Sequence, residues 1–575
     1  MLGRLPTLWS LLVLGAASPL PAQTSGIPNT WPLRGKARVT EGERAVVVSG
    51  NPIASEIGRE VLKRGGNAID AAVAVAFALA VTHPEAGNIG GGGFLLYRRG
   101  SGRISALDFR EVAPRGATAT MYVGPDGRNT GKSHTGPLAS GVPGSVAGLA
   151  EAHRRFGTLP WKSLVEPAVT LAHDGFLVDE YRSRSIGRDS TRLVEFPASA
   201  AQFLPGGAPP PIGSIFTQPD LARTLAAIRD RGAAGFYRGW VADSLVAEMA
   251  RGGGIISRAD LRAYKTVWRV PLRFSYRGYT LYGMPPVSSG GVTLAMILNV
   301  MEGYRPMPPF GSAALLHREA EAMRRAYIMR NSSLGDPAFV SNPVARLISK
   351  TFGRKLRSQI DTTRATPTPE AVGQLHEGPS TTHFSIVDAS GNAVSYTTTI
   401  NSLYGNAVTV RGAGFLLNDE MDDFTTVPGA SNQSGSVDGR ANAIVPGKRP
   451  LSSMAPTIVL DPKDRLFLVL GSPGGTTIIT TVYHAVSNVI DHGMTLAEAV
   501  AAPRMFQQAR PDSIQLERES PDPAGVPDAT VAELMRLGHR IRFRNYMGDV
   551  EAILRTASGW QGVSDPRRGG GGAGY

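Results

Sequence analysis

The 575-residue chain contains no cysteine, which excludes disulfide cross-links and lipid attachment to a thiol, so its stability has to come from packing. It has no apolar run that spans a bilayer comfortably: the run from Leu8 to Ala17 is too short. It lacks a concentrated basic patch despite a formal charge of +13, because the densest stretch, Arg182 to Arg192, is interrupted by Ser, Gly and Asp. A nucleic-acid partner is therefore not expected. The charge suits contact with anionic cell surfaces, or simply solubility. No internal repeat is present, and 42% hydrophobic with 19% charged residues gives no sign of fibre, disorder or a membrane bundle. A chain this long exceeds one ordinary core, so two large units or one two-subunit body are expected.

Met1, Leu2, Gly3 and Arg4, the apolar run, and then Pro19, Pro21 and Ala22 form a basic start, a hydrophobic segment and a small-residue cleavage site. This pattern predicts export, with cleavage after Ala22 and no stable membrane anchor. A polar leader continues to about Arg44. Ile53 to Val81 carries helical periodicity broken at Gly65 and Gly66, and Ala68 to Val81 is apolar on nearly every side, which predicts a buried second helix. The glycines Gly90 to Gly93 follow, then a strand-like Phe94 to Tyr97. The middle of the chain reads as helical. From Asp361 to Ser380, threonine, proline and glycine predominate, which predicts a mobile strap and a boundary. Downstream, Thr457 to Leu460 and Leu466 to Leu470 read as strands, and Thr477 to Ile490 as a helix.

The strands Thr381 to Val387 and Asn392 to Ile400 flank Ala389, Ser390 and Gly391. A three-residue loop with its glycine in the left-handed position would pair Asp388 with Asn392 and set Thr381 opposite Thr399. Facing residues share a side of the sheet, within reach of a hydroxyl-to-hydroxyl bond. A two-residue loop would break that alignment. Cleavage between Ser380 and Thr381 would free an α-amine able to take the proton of the same residue's hydroxyl, activating a nucleophile without histidine. Spacing alone favours an ordinary strand threonine. Around it, Ser472, Pro473, Gly474 and Gly475 precede a helix, where converging N–H groups can bind an oxyanion, or simply make a tight turn. Asp419, Glu420, Asp422 and Asp423 carry enough negative charge for an ammonium group or a calcium ion, without the spacing of an EF-hand. Ser452 and Ser453, after Lys448 and Arg449, offer hydroxyl donors for a carboxylate, or form a polar loop. The stretch Gly127 to Ser133 imitates a phosphate loop, but Asp126 replaces its first glycine and no clear strand precedes it, so nucleotide binding is rejected. Gly90 to Gly93 likewise lack the setting of a dinucleotide site.

Together these stretches resemble the γ-glutamyltransferase (γ-glutamyl transpeptidase) family of N-terminal-nucleophile hydrolases. The resemblance runs through Gly66 to Ala72, Leu107 to Glu111, Gly141 to Gly148, Met284 to Gly291, Thr381 to Ser385, Leu417 to Phe424, Lys448 to Met454, Ser472 to Gly475 and Ser564 to Arg567, and so through nearly the whole mature chain. It implies an α+β fold, a four-layer αββα sandwich formed by two self-cleaved subunits. The expected segments are a signal peptide 1–22, a large subunit 23–380 and a small catalytic subunit 381–575, the subunits staying together as a heterodimer. Thr381 is implied as nucleophile for cleavage before itself and for turnover, with Thr399 at its hydroxyl and Gly474 and Gly475 as oxyanion hole. Arg110, Ser452 and Ser453 are implied to hold the α-carboxylate of a γ-glutamyl group, and Asn401, Glu420 and Asp423 its α-amine. A zwitterionic head fits that division, since arginine meets a carboxylate bidentately. The implied reaction passes the γ-glutamyl group from glutathione or a related small molecule to water or to an amino acid or peptide acceptor. The resemblance implies no metal and no other cofactor, and a periplasmic or secreted location. Pro428 to Pro446 resembles a lid whose gating tyrosine is replaced by Ser434, from which easier water access and a high ratio of hydrolysis to transfer are expected. Two alternatives remain: a related exported acylase, and a non-processed exported binding protein.

Overall fold

The computed structural model describes residues 26–368, 380–427, 440–518 and 525–575. Residues 1–25 with the expected cleavage after Ala22, residues 369–379 of the strap, and the part of the expected lid that holds Ser434 lie outside the described residues.

Two asparagines start the first two helices. The Asn51 side chain accepts from the amides of Ile53 and Ala54, and that of Asn67 from Ile69 and Asp70, while the Asp70 carboxylate accepts from the Asn67 amide. These bonds satisfy N–H groups that have no partner inside a helix. Pro52–Lys63 buries one face, whereas Ala68–Thr82 is buried along its whole length, as its nearly continuous apolar composition requires.

Two seven-stranded sheets form the centre. The first runs Gly571–Gly574, Val46–Ser49, Thr381–Val387, Ala393–Thr399, Gly92–Arg98, Ile104–Asp108, Val267–Arg269, and the second Arg38–Gly42, Trp560–Ser564, Glu551–Arg555, Leu466–Gly471, Thr457–Leu460, Tyr279–Gly283, Leu272–Tyr276. Every neighbouring pair within each is antiparallel. The sheets face each other, with Pro52–Lys63 and Ala68–Thr82 outside the first and Gly290–Met301 and Ile478–Ile490 outside the second. The result is the four-layer αββα sandwich. Strand alternation divides the core: Val47, Leu95, Tyr97, Phe384 and Ile386 pack toward the first pair of helices, while Val46, Val48, Phe94 and Leu96 join the cluster that contains the second sheet.

Some elements depart from the sequence reading. Arg38–Gly42 is a strand inside the stretch read as a leader. It is an edge strand, largely exposed and charged, so no alternation announces it. The helical middle contains the hairpin Leu272–Tyr276 and Tyr279–Gly283. The described part of the strap has no regular element, but it is pinned. The Ala365 amide donates to the Leu537 carbonyl at 2.7 Å, the Thr366 amide to Glu321 at 3.1 Å and the Thr368 amide to Asp512 at 2.8 Å.

Candidate functional site

The hairpin register places the two threonines. Gly391 has φ of 72°, a conformation open to glycine without strain, and Asp388 secures the loop by accepting the Ser390 and Asn392 amides on one oxygen. Its other oxygen accepts the Ala68 amide at 2.9 Å, tying the loop to the start of the buried helix. From this loop the ladder runs without a slip to Thr381 opposite Thr399. Just ahead of the neighbouring strand Gly92–Arg98, Gly91 closes against the Thr399 carbonyl, where any Cβ would collide with it.

Thr381, His383 and Ser385 alternate onto the face opposite Phe384 and Ile386, so the hairpin presents a polar row between the sheets. Ser385 Oγ donates to the Glu551 carbonyl at 2.8 Å and Ser395 Oγ to the Leu470 carbonyl at 2.9 Å. His383 is no base for Thr381. Its ring bonds to Thr397 and Ser385 hydroxyls, and burial pulls its pKa down to about 3. At the end of this row the Thr381 hydroxyl lies 3.4 Å from that of Thr399. Thr399 Oγ1 donates to the Ser380 carbonyl at 3.0 Å and accepts the Asn401 amide at 2.8 Å. The carbonyl of the 380–381 peptide therefore already holds one hydrogen-bond donor. Asn401 has φ of 72°, tolerated by asparagine, and its Nδ2 donates to the Asp419 carbonyl at 3.1 Å.

Arg110 follows the strand Ile104–Asp108, its amide held by Asp108 and its carbonyl by Tyr264. The guanidinium is buried and donates to Glu420 and Asp423, with Glu111 at 3.4 Å. Glu420 is fixed through Asn418, whose Oδ1 accepts the Glu420 amide at 3.0 Å. Burial pushes the Glu111 carboxyl up to about 7, against the pull of Arg110, and pushes Glu420 well above the ordinary carboxylate range. Three carboxyls crowd one guanidinium, and burial biases Glu111 and Glu420 toward their neutral forms, a bias that a cation placed beside them would reverse. The remaining acids of the loop turn to other groups: Asp419 to the Ser402 amide and His134, Asp422 to Ser133. Among the described residues there is no cluster of His, Cys, Asp or Glu able to hold a metal ion.

At the opposite wall the Ser452 carbonyl accepts from the Ser289 amide and hydroxyl, and Ser453 Oγ accepts from Arg330 at 2.8 Å. Arg330, on the helix Ala313–Ser333, also donates to Ser289 Oγ at 2.8 Å and Asn331 Oδ1 at 2.7 Å. None of these partners is a carboxylate, so this wall is cationic. Gly475 opens a short 3₁₀ turn, Gly475–Thr477, that leads into the helix Ile478–Ile490, directing positive helix-end potential at the cleft. Gly474 has φ of 131°, and a Cβ there would strike the Thr477 hydroxyl.

Arg110, Thr381, Thr399, Asn401, Glu420, Asp423, Ser452, Ser453 and Gly475 line one cleft; Gly474 adjoins it through the turn, and Ser380 precedes Thr381 as a buried residue. Arg330 and Asn442, absent from the sequence reading, line it too. Asn442 stitches the two ends together, donating to the Asp423 carbonyl at 2.6 Å and accepting the Leu451 amide at 2.9 Å. No signal marks Arg330 within a helix rich in arginine, and Asn442 lies in the stretch read as lid.

The model of the family described as gamma-glutamyltranspeptidase matches residues 54–575. A glutathione hydrolase proenzyme of Pseudomonas sp. (strain A14) is 50% identical over 482 residues, 83% of this chain and 83% of that protein. One of Escherichia coli (strain K12) is 43% identical over 562 residues, 96% of this chain and 94% of that protein. Among solved structures, cephalosporin acylase from Bacillus halodurans superposes with a TM-score of 0.82 at 25% identity, covering 95% of this chain and 99% of that one.

Proposed function

The chain belongs to the gamma-glutamyltranspeptidase family, and from that premise we propose that it is a γ-glutamyltransferase and glutathione hydrolase that matures by cutting itself before Thr381. In maturation the Thr381 hydroxyl oxygen attacks the Ser380 carbonyl carbon. The peptide C–N bond breaks, leaving an ester and a free Thr381 amine. Water then hydrolyses the ester, releasing the Ser380 carboxylate. Thr399 Oγ1, already 3.0 Å from the Ser380 oxygen, is placed to stabilise the negative charge that develops there. The observation that carries this reading is that single hydroxyl, bonded to the scissile carbonyl while facing the attacking threonine.

In turnover the free α-amine takes the Thr381 hydroxyl proton as the oxygen attacks the γ-carbonyl of the donor. The leaving amine is protonated and departs, and the γ-glutamyl ester passes to water or an acceptor amine. Amides at Gly474 and Gly475 receive the oxyanion. The acidic wall of Glu420 and Asp423, with Asn401, takes the α-ammonium. Arg110, Ser452 and Ser453 take the α-carboxylate, with Arg330 adding charge beside Ser453. Binding the head at both ends converts affinity for a non-reacting part of the donor into orientation of its γ-carbonyl. We further propose a large subunit 23–380 and a small subunit 381–575 that remain associated, export to the periplasm or medium, and the high ratio of hydrolysis to transfer expected from Ser434.

The likeness to cephalosporin acylase keeps acylase activity as a second reading; the acidic wall, suited to an ammonium that simple acyl groups lack, favours γ-glutamyl donors. The test is a denaturing gel with N-terminal sequencing, followed by assay of γ-glutamyl and simple acyl anilides. Two bands, a small one beginning at Thr381, and preference for the γ-glutamyl anilide are expected. Thr381→Ala should remain one inactive band. A different N-terminus would sink the mechanism, and an uncut wild type would leave a binding protein.

A further inference from the structure

The stretch that imitates a phosphate loop, Gly127 to Ser133, serves another purpose with its neighbour His134. It packs on the loop that carries the acidic wall. Asn129 Nδ2 donates to Thr426 Oγ1 at 2.9 Å and to Ser133 Oγ at 3.2 Å, and Ser133 Oγ donates to Asp422. His134 Nδ1 lies 3.0 Å from Asp419 Oδ2 and 3.3 Å from Ser402 Oγ. Asp419 is the junction of the site. Its second carboxylate oxygen accepts the Ser402 amide at 2.9 Å, its carbonyl accepts Asn401 Nδ2 at 3.1 Å, its amide donates to the Ile400 carbonyl at 3.2 Å, and Glu420 is the next residue. The contacts from residues 129 to 134 thus grip this loop at Asp419, Asp422 and Thr426, around the two acids that line the cleft.

We propose that His134 is a positioning residue for the substrate's α-ammonium: by holding Asp419 it keeps Asn401 and Glu420 in the arrangement that receives that group. It touches no substrate itself, and the inference rests on the γ-glutamyl reading above. The imidazole side chain is 38% exposed, so it exchanges protons with solvent. The charged groups that face it are Asp419 and Asp422 from the acidic loop and Arg192, which is paired with Asp189, from the helical turn alongside; the Tyr122 phenol lies near the same two acids. Burial acts against its charge, but the hydrogen bond and charge of Asp419 outweigh that, and its pKa lies above the usual histidine value. Protonated, it makes a charge-assisted bond to Asp419. As pH rises through its raised pKa that bond weakens, and donor affinity should fall with it.

The test uses the matured full chain and a γ-glutamyl anilide, with KM and kcat followed from about pH 5.5 to about pH 9. His134→Ala should raise KM about tenfold near neutral pH while kcat stays within about twofold, because the loss is in ground-state and transition-state binding alike. His134→Gln retains an N–H donor without titrating. It should restore KM to within about threefold of wild type and abolish the wild-type rise of KM across the histidine range. Unchanged KM in both variants, a loss confined to kcat, or a KM profile in His134→Gln that parallels the wild type would each overturn the proposal. Should His134→Ala fail to mature, the profile of His134→Gln decides alone. A wild type that releases no aniline from the anilide would refute the γ-glutamyl reading itself, whereas an active wild type with insensitive variants refutes only the role of His134.

Discussion

Replacing Thr399 by valine isolates what one hydroxyl does for maturation. The two side chains have nearly the same shape, so the strand Ala393–Thr399 and its pairing to Gly92 should persist. Three contacts end: the bond to the Ser380 carbonyl at 3.0 Å, the bond accepted from the Asn401 amide at 2.8 Å, and the approach to the Thr381 hydroxyl at 3.4 Å. The first is a donor aimed at the oxygen where negative charge develops, and removing one such donor slows acyl chemistry roughly 100- to 1000-fold, about 3–4 kcal/mol of barrier. The second leaves an amide without its partner in a part-buried position, costing about 1–3 kcal/mol of folding stability. Pulse-labelled precursor followed on denaturing gels would give the cleavage rate, and chemical unfolding of Thr381→Ala with and without Thr399→Val would give the stability term without interference from cleavage. Thr399→Ser keeps the hydroxyl and should mature within about tenfold of wild type. If Thr399→Val cuts at the wild-type rate, the hydroxyl does not stabilise the scissile carbonyl and the reasoning fails.

Arg330→Met should raise KM for the γ-glutamyl donor by about 10- to 100-fold with a smaller effect on kcat, because it removes a buried cation from the wall that carries Ser453; initial-rate kinetics on matured enzyme would show it, and Arg330→Lys should rescue poorly, lacking the fork that reaches Ser289 and Ser453 together. Glu319, buried on the helix Ala313–Ser333, has its carboxyl pushed up to about 8 by burial, against the bond from Tyr483. Its folded pKa exceeds the unfolded one, so its contribution to stability is full below the ordinary carboxylate pKa and is lost as pH rises through about 8. The melting temperature of Glu319→Gln relative to wild type should therefore climb from about pH 5 to about pH 8 and then level off; a difference that is constant with pH would count against a neutral buried acid.

Much of the site was legible because it depends on local rules. The loop Ala389 to Gly391 has one glycine where positive φ is needed, and strand pairing carries its register out to Thr381 and Thr399 by counting alone. The buried helix Ala68–Thr82 announced itself by having no polar stripe. The glycine turn ahead of Ile478–Ile490 was visible as a break before a helical run. The edge strand Arg38–Gly42 was not legible, since an exposed strand needs no alternating pattern. Nor was the pinning of the strap by Glu321, Asp512 and Leu537, which are distant in sequence and recognisable only as neighbours in space.

By itself, the sequence determined most of the elements, the facing threonines and the residue types that gather in the cleft, because period, turn chemistry and charge are properties of short segments. Only the tertiary structure decided which charges meet. It set Arg110 among Glu111, Glu420 and Asp423 and against the Pro450 and Leu451 carbonyls that lead to the serine pair, brought Arg330 from another helix to Ser453, and leaned His134 on Asp419. The physical reason is range: hydrogen bonds and ion pairs act over a few ångströms in space and are indifferent to the hundreds of residues that separate the partners along the chain.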